Sequence, residues 1–116
     1  MPMTDHAKMK WMLSVLLVTL SSATALAHPC DADAIKRGMP LLKLHFEADE
    51  LENASVDDTV KQLPPLRALK GTGKFDVLEV WGHIYKADYR MRFIYAQIPD
   101  SCVLMGQEIL EASDPY

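Results

Sequence analysis

The 116-residue chain predicts an α+β domain, with N-terminal helical segments packed on one face of a three-stranded antiparallel β-meander. Three observations carry that expectation. Before Gly71 the spacing and composition favour helices, with acids ahead of bases and Gly or Pro at the ends. From Lys74 onward, three runs rich in Val, Ile, Tyr, Phe and Trp are separated by short polar connections. The two cysteines, Cys30 and Cys102, stand far apart in sequence, where one disulfide ties the helical part to the sheet.

Residues 1–27 read as a signal peptide that is removed. Lys8 and Lys10 precede the apolar run from Trp11 to Leu20, and a stretch of small residues ends in Ala25-Leu26-Ala27. The apolar run is roughly half the length of a bilayer-spanning helix. Residues 28–116 are then one small domain, expected in a periplasm or outside the cell. Losing two lysines and one aspartate takes the net charge from −4 to −5 with His neutral. Nucleic acid and anionic membranes both select a basic face, so neither is an expected partner. In an oxidising compartment Cys30 and Cys102 form a structural disulfide, whose long loop contributes about 4 kcal/mol in the chain-entropy picture. A lipid anchor on Cys30 is disfavoured because His28-Pro29 precedes it instead of a small residue.

The first helix spans Asp31 to Arg37, acids first and bases last as the helix dipole prefers, with Gly38 and Pro40 stopping or bending it. Residues 41–48 fit two patterns. Leu41, Leu44, Ala48 and Leu51 keep helical spacing, whereas Leu42, Leu44, Phe46 and Ala48 alternate as in an edge strand. Composition favours helix, since no β-branched residue occurs there. Ser55 caps a further helix with Asp57 and Asp58 in its first turn, and Val56, Val60 and Leu63 form its apolar face. Pro64-Pro65 ends it, and one more helical turn runs to Lys70. Gly71-Thr72-Gly73 is a hinge without the Lys-Ser/Thr of a phosphate loop.

The strands are Phe75 to Tyr85, Tyr89 to Gln97, and Cys102 to Leu110. Ile98-Pro99-Asp100-Ser101 is a type I turn, with Pro99 supplying the preset φ. The middle strand sets the phase. Tyr89, Met91, Phe93 and Tyr95 share one face with Leu78, Val80, Gly82 and Ile84 and with Cys102, Leu104 and Gly106; this is the expected core. The other face carries Val77, Glu79, Trp81 and His83, then Arg90, Arg92, Ile94 and Ala96, then Val103, Met105 and Gln107. Trp81 is expected beside Arg92 in a cation–π pair, and His83 beside Arg90.

That second face is the candidate functional surface. Trp81, Arg90, Arg92, Ile94 and Met105 are the expected partner-binding residues, because Trp and Arg most often dominate interface energetics. The leading expectation is a non-catalytic exported binding or accessory protein, inhibitor-like, acting on a protein partner; a homodimer through the same face is compatible. An alternative is a small secreted phosphodiester hydrolase, with Glu79 as base, His83 as acid, and Arg90 and Arg92 holding the phosphate. Another is a copper-binding protein using the amine and ring of a terminal His28 with His45 or His83. The default for His28 is a loose chain end. Glu47 to Asp58 holds six acids and no base but lacks a calcium-loop signature, and reads as a solvated turn or a docking surface for a basic partner. Met39, Met91 and Met105 read as packing residues. No cofactor or metal ion is expected. The element order resembles that of small envelope proteins of the outer-membrane barrel-assembly machinery, a likeness of architecture, since their lipid-anchored cysteine is missing.

Overall fold

The computed structural model describes residues 27–46 and 52–114. They form one helix and five strands: α1 (Asp31–His45), β1 (Ala54–Val56), β2 (Lys61–Arg67), β3 (Lys74–Ile84), β4 (Ala87–Ala96) and β5 (Leu104–Glu111). All pairings are antiparallel. β3 pairs with β4 and β4 with β5, while β1 and β2 lie end to end along the free edge of β3. The α+β class holds and β3, β4 and β5 pair in sequence, but the sheet has five strands instead of the expected three, and among the described residues one helix stands where several were expected.

α1 is a single helix that runs through Gly38 and Pro40. Its buried stripe is Ala34, Gly38, Leu41 and Leu42, a spacing of four, three and one. Pro40 is exposed, as is Lys36 one turn earlier, so the carbonyl freed by the missing N–H faces solvent. Gly38 is a point of close approach, not a stop. A Cβ there would lie 2.8 Å from Cγ1 of Val56 and 3.2 Å from Cε of Met91. Residues 41–45 are helical as composition favoured, although the anticipated Leu41/Leu44 stripe is misphased: Leu44 is 74% exposed. Ala48 and Leu51 lie outside the described residues.

The helix expected from Ser55, with its further turn to Lys70, is replaced by β1 and β2. Ala54, Ser55 and Val56 pair with Ile84, His83 and Gly82, and Lys61 to Arg67 pairs along Glu79 to Lys74. Val56, Thr59 and Val60 are β-branched, which favours an extended backbone. The open edge of β3 supplies partners that helical spacing alone could not reveal. Pro64 and Pro65 sit at an irregularity between Leu63 and Leu66 on this edge strand, where a missing N–H costs little. Residues 68–73 form a hairpin loop closed by Ala68 N–H to Gly73 O, with Gly71 at φ 80°.

The core lies between α1 and the inner face of the sheet. Leu78, Val80, Met91, Phe93 and Tyr95 are fully buried there, beside Leu42 and Ala34 of the helix. The two faces of β3 and β4 are the expected ones, but the register is two residues from that implied by Trp81 beside Arg92 and His83 beside Arg90: Leu78 is opposite Phe93, Val80 opposite Met91 and Gly82 opposite Tyr89, because the turn is Tyr85-Lys86. A Cβ on Gly82 would lie 2.9 Å from Cε of Met91 and 3.2 Å from Leu42. Gly38 and Gly82 thus let helix and sheet close on Met91. Of the methionines among the described residues, Met91 is core, Met39 packs against it, and Met105 is 55% exposed, not a packing residue.

Two turns differ in detail. The first hairpin loop is Tyr85-Lys86, with Tyr85 at φ 57° in a position where glycine is most at home. In the second, Ser101 N–H donates to Ile98 O and Asp100 has φ 61°, which makes it type II instead of type I. On β5 an irregularity shifts the pairing: Tyr95 faces Leu104, but Ile94 faces Gly106. Met105 is the extra residue of this bulge. Beyond it the phase inverts, so Gln107 and Ile109 join the core face while Gly106, Glu108 and Leu110 face outward.

Candidate functional site on the outer sheet face

Three devices fix α1 against the sheet. Cys30, at the start of α1, is disulfide-bonded to Cys102 ahead of β5, with Cα atoms 5.7 Å apart. One turn into the helix, Asp33 accepts from Tyr95 Oη at 2.8 Å and from Arg37 Nε at 2.7 Å. Burial alone would raise the pKa of Asp33; the bonds from Arg37 and Tyr95 outweigh it and hold the carboxyl below its usual value. Burial, reinforced by Asp33, pushes the Tyr95 phenol up. His28 is the third device. Its Nδ1 accepts from Cys30 N–H at 3.0 Å, so Nε2 carries the proton shared with Asp76 Oδ2 at 2.8 Å. That bond, against the effect of burial and helped by Gln97, lowers the Asp76 pKa.

His28 is therefore an anchored residue and not the loose end expected of it. Its Nδ1 is committed to the backbone, so the copper-chelating pair of amine and ring nitrogen is not free. Among the described residues no group of three His, Cys, Asp or Glu side chains is placed to hold a metal ion.

No described element covers the outer face. Its centre is Glu79, the buried charged residue of the described chain at 7% exposure. The carboxylate accepts from Arg92 Nε at 3.0 Å through Oε2 and from Trp81 Nε1 at 3.2 Å through Oε1; Arg90 Nε stands 4.0 Å away. Arg92 also reaches Glu108 on β5 at 3.8 Å. Trp81 lies directly across from Arg90, and Glu79 from Arg92. The expected Trp81–Arg92 cation–π pair is thus replaced by a shared carboxylate. Arg90 Nε is buried with no hydrogen-bond acceptor.

His83 does not pair with Arg90. It faces Asp88 in the register, donating or accepting through Nδ1 at 2.7 Å, while Nε2 meets Asp57 at 2.9 Å. The bond to Asp88, against burial and joined by Asp57, raises the His83 pKa. Asp57 and Asp58, expected in a helical first turn, lie instead in the β1–β2 connection, and the segment 47–51 of the acidic stretch lies outside the described residues.

Beside this polar centre runs an apolar groove of about 370 Å³, lined by Leu63, Pro64, Pro65, Leu66, Val77, Arg92, Ile94 and Glu108. Arg92 and Ile94 belong to it. Trp81 and Arg90 stand further along the same face, and Met105 sits at the β5 bulge. The groove's β2 wall escaped the sequence reading because Val56, Val60 and Leu63 satisfied helical spacing. Leu63, Pro64-Pro65 and Leu66 as a Pro-interrupted edge strand was the signal that could have found it.

Comparison with known proteins gave no matching family model, no matching curated protein and no matching solved structure.

Proposed function

We propose that the protein is an exported, non-catalytic binding module that captures a protein partner on the outer face of its sheet. The observation that carries this reading is Arg90: a guanidinium whose Nε is buried without an acceptor, set between Trp81 and the exposed Leu110. Unsatisfied buried donors are rare in folded proteins. A partner carboxylate or main-chain carbonyl docks on the exposed part of the Arg90 side chain, beside its buried Nε, while the partner's apolar side chains fill the groove beside Arg92 and Ile94. Leu66, Met105 and Leu110, each about half exposed, extend the apolar rim. The disulfide accords with an oxidising compartment, to which the signal peptide would deliver the chain.

The hydrolase alternative is poorly supported by geometry. Both nitrogens of His83 are engaged by carboxylates, and Glu79 is held by Arg92 and Trp81. Four residues apart on one strand, His83 and Glu79 are separated by about 13 Å of backbone, too far to act on one phosphodiester.

The test is site-specific photocrosslinking in the producing cell. A crosslinker at Met105 should give a discrete adduct with one partner, and the same group at Lys43, on the solvent side of α1, should not. Equal adducts from both positions, or none from Met105, would refute the assignment of this face.

A further inference from the structure

Four consecutive residues at the head of α1 bear on two covalent events that follow export. Cys30 forms the disulfide to Cys102. Three residues before the helix, the backbone N–H of His28 donates to Asp31 Oδ2 at 3.1 Å, and the His28 ring is locked between Cys30 N–H and Asp76. Asp31 Oδ1, however, is buried and has no hydrogen-bond partner. An amide nitrogen carries one hydrogen, so within an uncut chain His28 can serve only one of the two oxygens. Ala27, immediately before it, is exposed and is the last residue of the A-x-A pattern.

We propose that the Ala27–His28 bond is the processing site and that the new terminal ammonium of His28 is captured by both carboxylate oxygens of Asp31. The proposal rests on reading residues 1–27 as an export signal. In the cut, a signal peptidase adds one water across the amide. The C–N bond breaks, the water oxygen becomes part of the Ala27 carboxylate, and the nitrogen leaves as the His28 amine. That amine is mostly protonated near neutral pH, its ordinary pKa being about 7.7–8.0. It then offers three donors where the amide offered one, and the orphaned Oδ1 gains a charged partner. The recess beside the bond, lined by Ala27, His28, Asp31, Val60, Lys61 and Gln62, leaves room for the amine to turn toward both oxygens. Asp31 on α1 and Lys61 on β2 line this recess and Asp76 on β3 holds the His28 ring, so the amine brings a positive charge to a place where two acids face one lysine.

The consequence is that processing completes folding. The precursor lacks this ion pair, and before oxidation it lacks the disulfide as well. Both staples of the helix start form only after the chain has left the reducing compartment.

The experiment uses protein exported by its own leader. Its mass should place the first residue at His28. The α-amine is then acetylated at mildly acidic pH, where it reacts ahead of the lysines, in the natural chain and in Asp31→Asn, and urea unfolding is followed for all four species. Acetylation should lower the folding equilibrium constant of the natural chain roughly tenfold, in line with a charge-assisted hydrogen bond, and that of Asp31→Asn by less than about twofold. A chain secreted with one additional alanine ahead of His28 should show the same loss with Asp31 untouched. Equal losses in the natural chain and in Asp31→Asn, or no loss from acetylation and extension, would overturn the capture. A first residue other than His28 would overturn the processing site, and an uncut chain would overturn the export reading itself, so the two failures are distinguishable.

Discussion

The inner and outer faces of the sheet are built from alternate residues of the same strands, yet they are stabilised by different physics. The inner face is almost wholly apolar, sealed by α1, and closed around Met91 by two glycines that bring helix and sheet together. Its stability comes from removing surface from water, at about 25 cal/mol per Å². The outer face has a buried carboxylate at its centre and leaves leucines and a methionine at its margin exposed. Apart from Val77, its order comes from directed contacts around Glu79. An area-driven face is indifferent to partners, whereas one ordered by charge pairs and left uncovered can accept another molecule with little rearrangement.

Substitutions should separate the two faces, with the largest effects on the inner one. Phe93→Ala, which empties a fully buried position, should cost about 3–5 kcal/mol in urea unfolding. Replacing Cys30 and Cys102 together by alanine should cost about 4 kcal/mol, by the long loop that the disulfide closes. On the outer face, Arg92→Ala should cost about 2 kcal/mol by removing the nearest positive charge from the buried Glu79 carboxylate, less than for a fully buried pair because Arg92 is partly exposed and Trp81 and Arg90 remain. The double change Arg92→Ala with Glu79→Gln should recover much of that loss. If it recovers none, charge pairing is not what orders this face.

Smaller effects lie at the hairpin ends. Tyr85→Gly should stabilise the domain by about 1 kcal/mol, because glycine accepts the φ of 57° without strain. His83 links the β1–β2 connection to the β3–β4 hairpin through Asp57 and Asp88. Its pKa is raised on folding, so its contribution is fully present below the ordinary value of about 6.5 and is lost as pH rises through the higher folded value. Urea midpoints followed from pH 5.5 to 8.5 should therefore fall more in the natural chain than in His83→Gln, and an imidazole NMR titration should place the midpoint above 6.5.

The inward and outward phase of the sheet's central strands was legible in the sequence, although their register was two residues off. Alternation along β4 placed Tyr89, Met91, Phe93 and Tyr95 inward and Arg90, Arg92 and Ile94 outward, and the short loops carried that phase into β3. The cysteine pairing followed from compartment and count. What failed did so where local pattern and tertiary partner disagree. Val56, Val60 and Leu63 have helical spacing, but the edge of β3 recruits them as strand, and Val56 is then the side chain that makes Gly38 obligatory within α1. The β5 bulge at Met105 inverted the faces of Gly106 and Gln107, because an extra residue leaves no mark on a period of two. Of the candidate site, the residue types were visible and the partners were not. That Glu79, and not Trp81, is what Arg92 engages depends on side-chain reach across the strands.

If the outer face is a binding surface held in shape by its own polar contacts, Trp81→Ala should separate binding from folding. Photocrosslinking yield from Met105 and the urea midpoint should be measured on that one variant. The adduct should disappear while the domain still unfolds cooperatively, with a midpoint closer to that of the natural chain than to that of Phe93→Ala. An unchanged adduct, or a domain that no longer folds, would contradict that expectation, the first by removing Trp81 from the interface and the second by making this face part of the core.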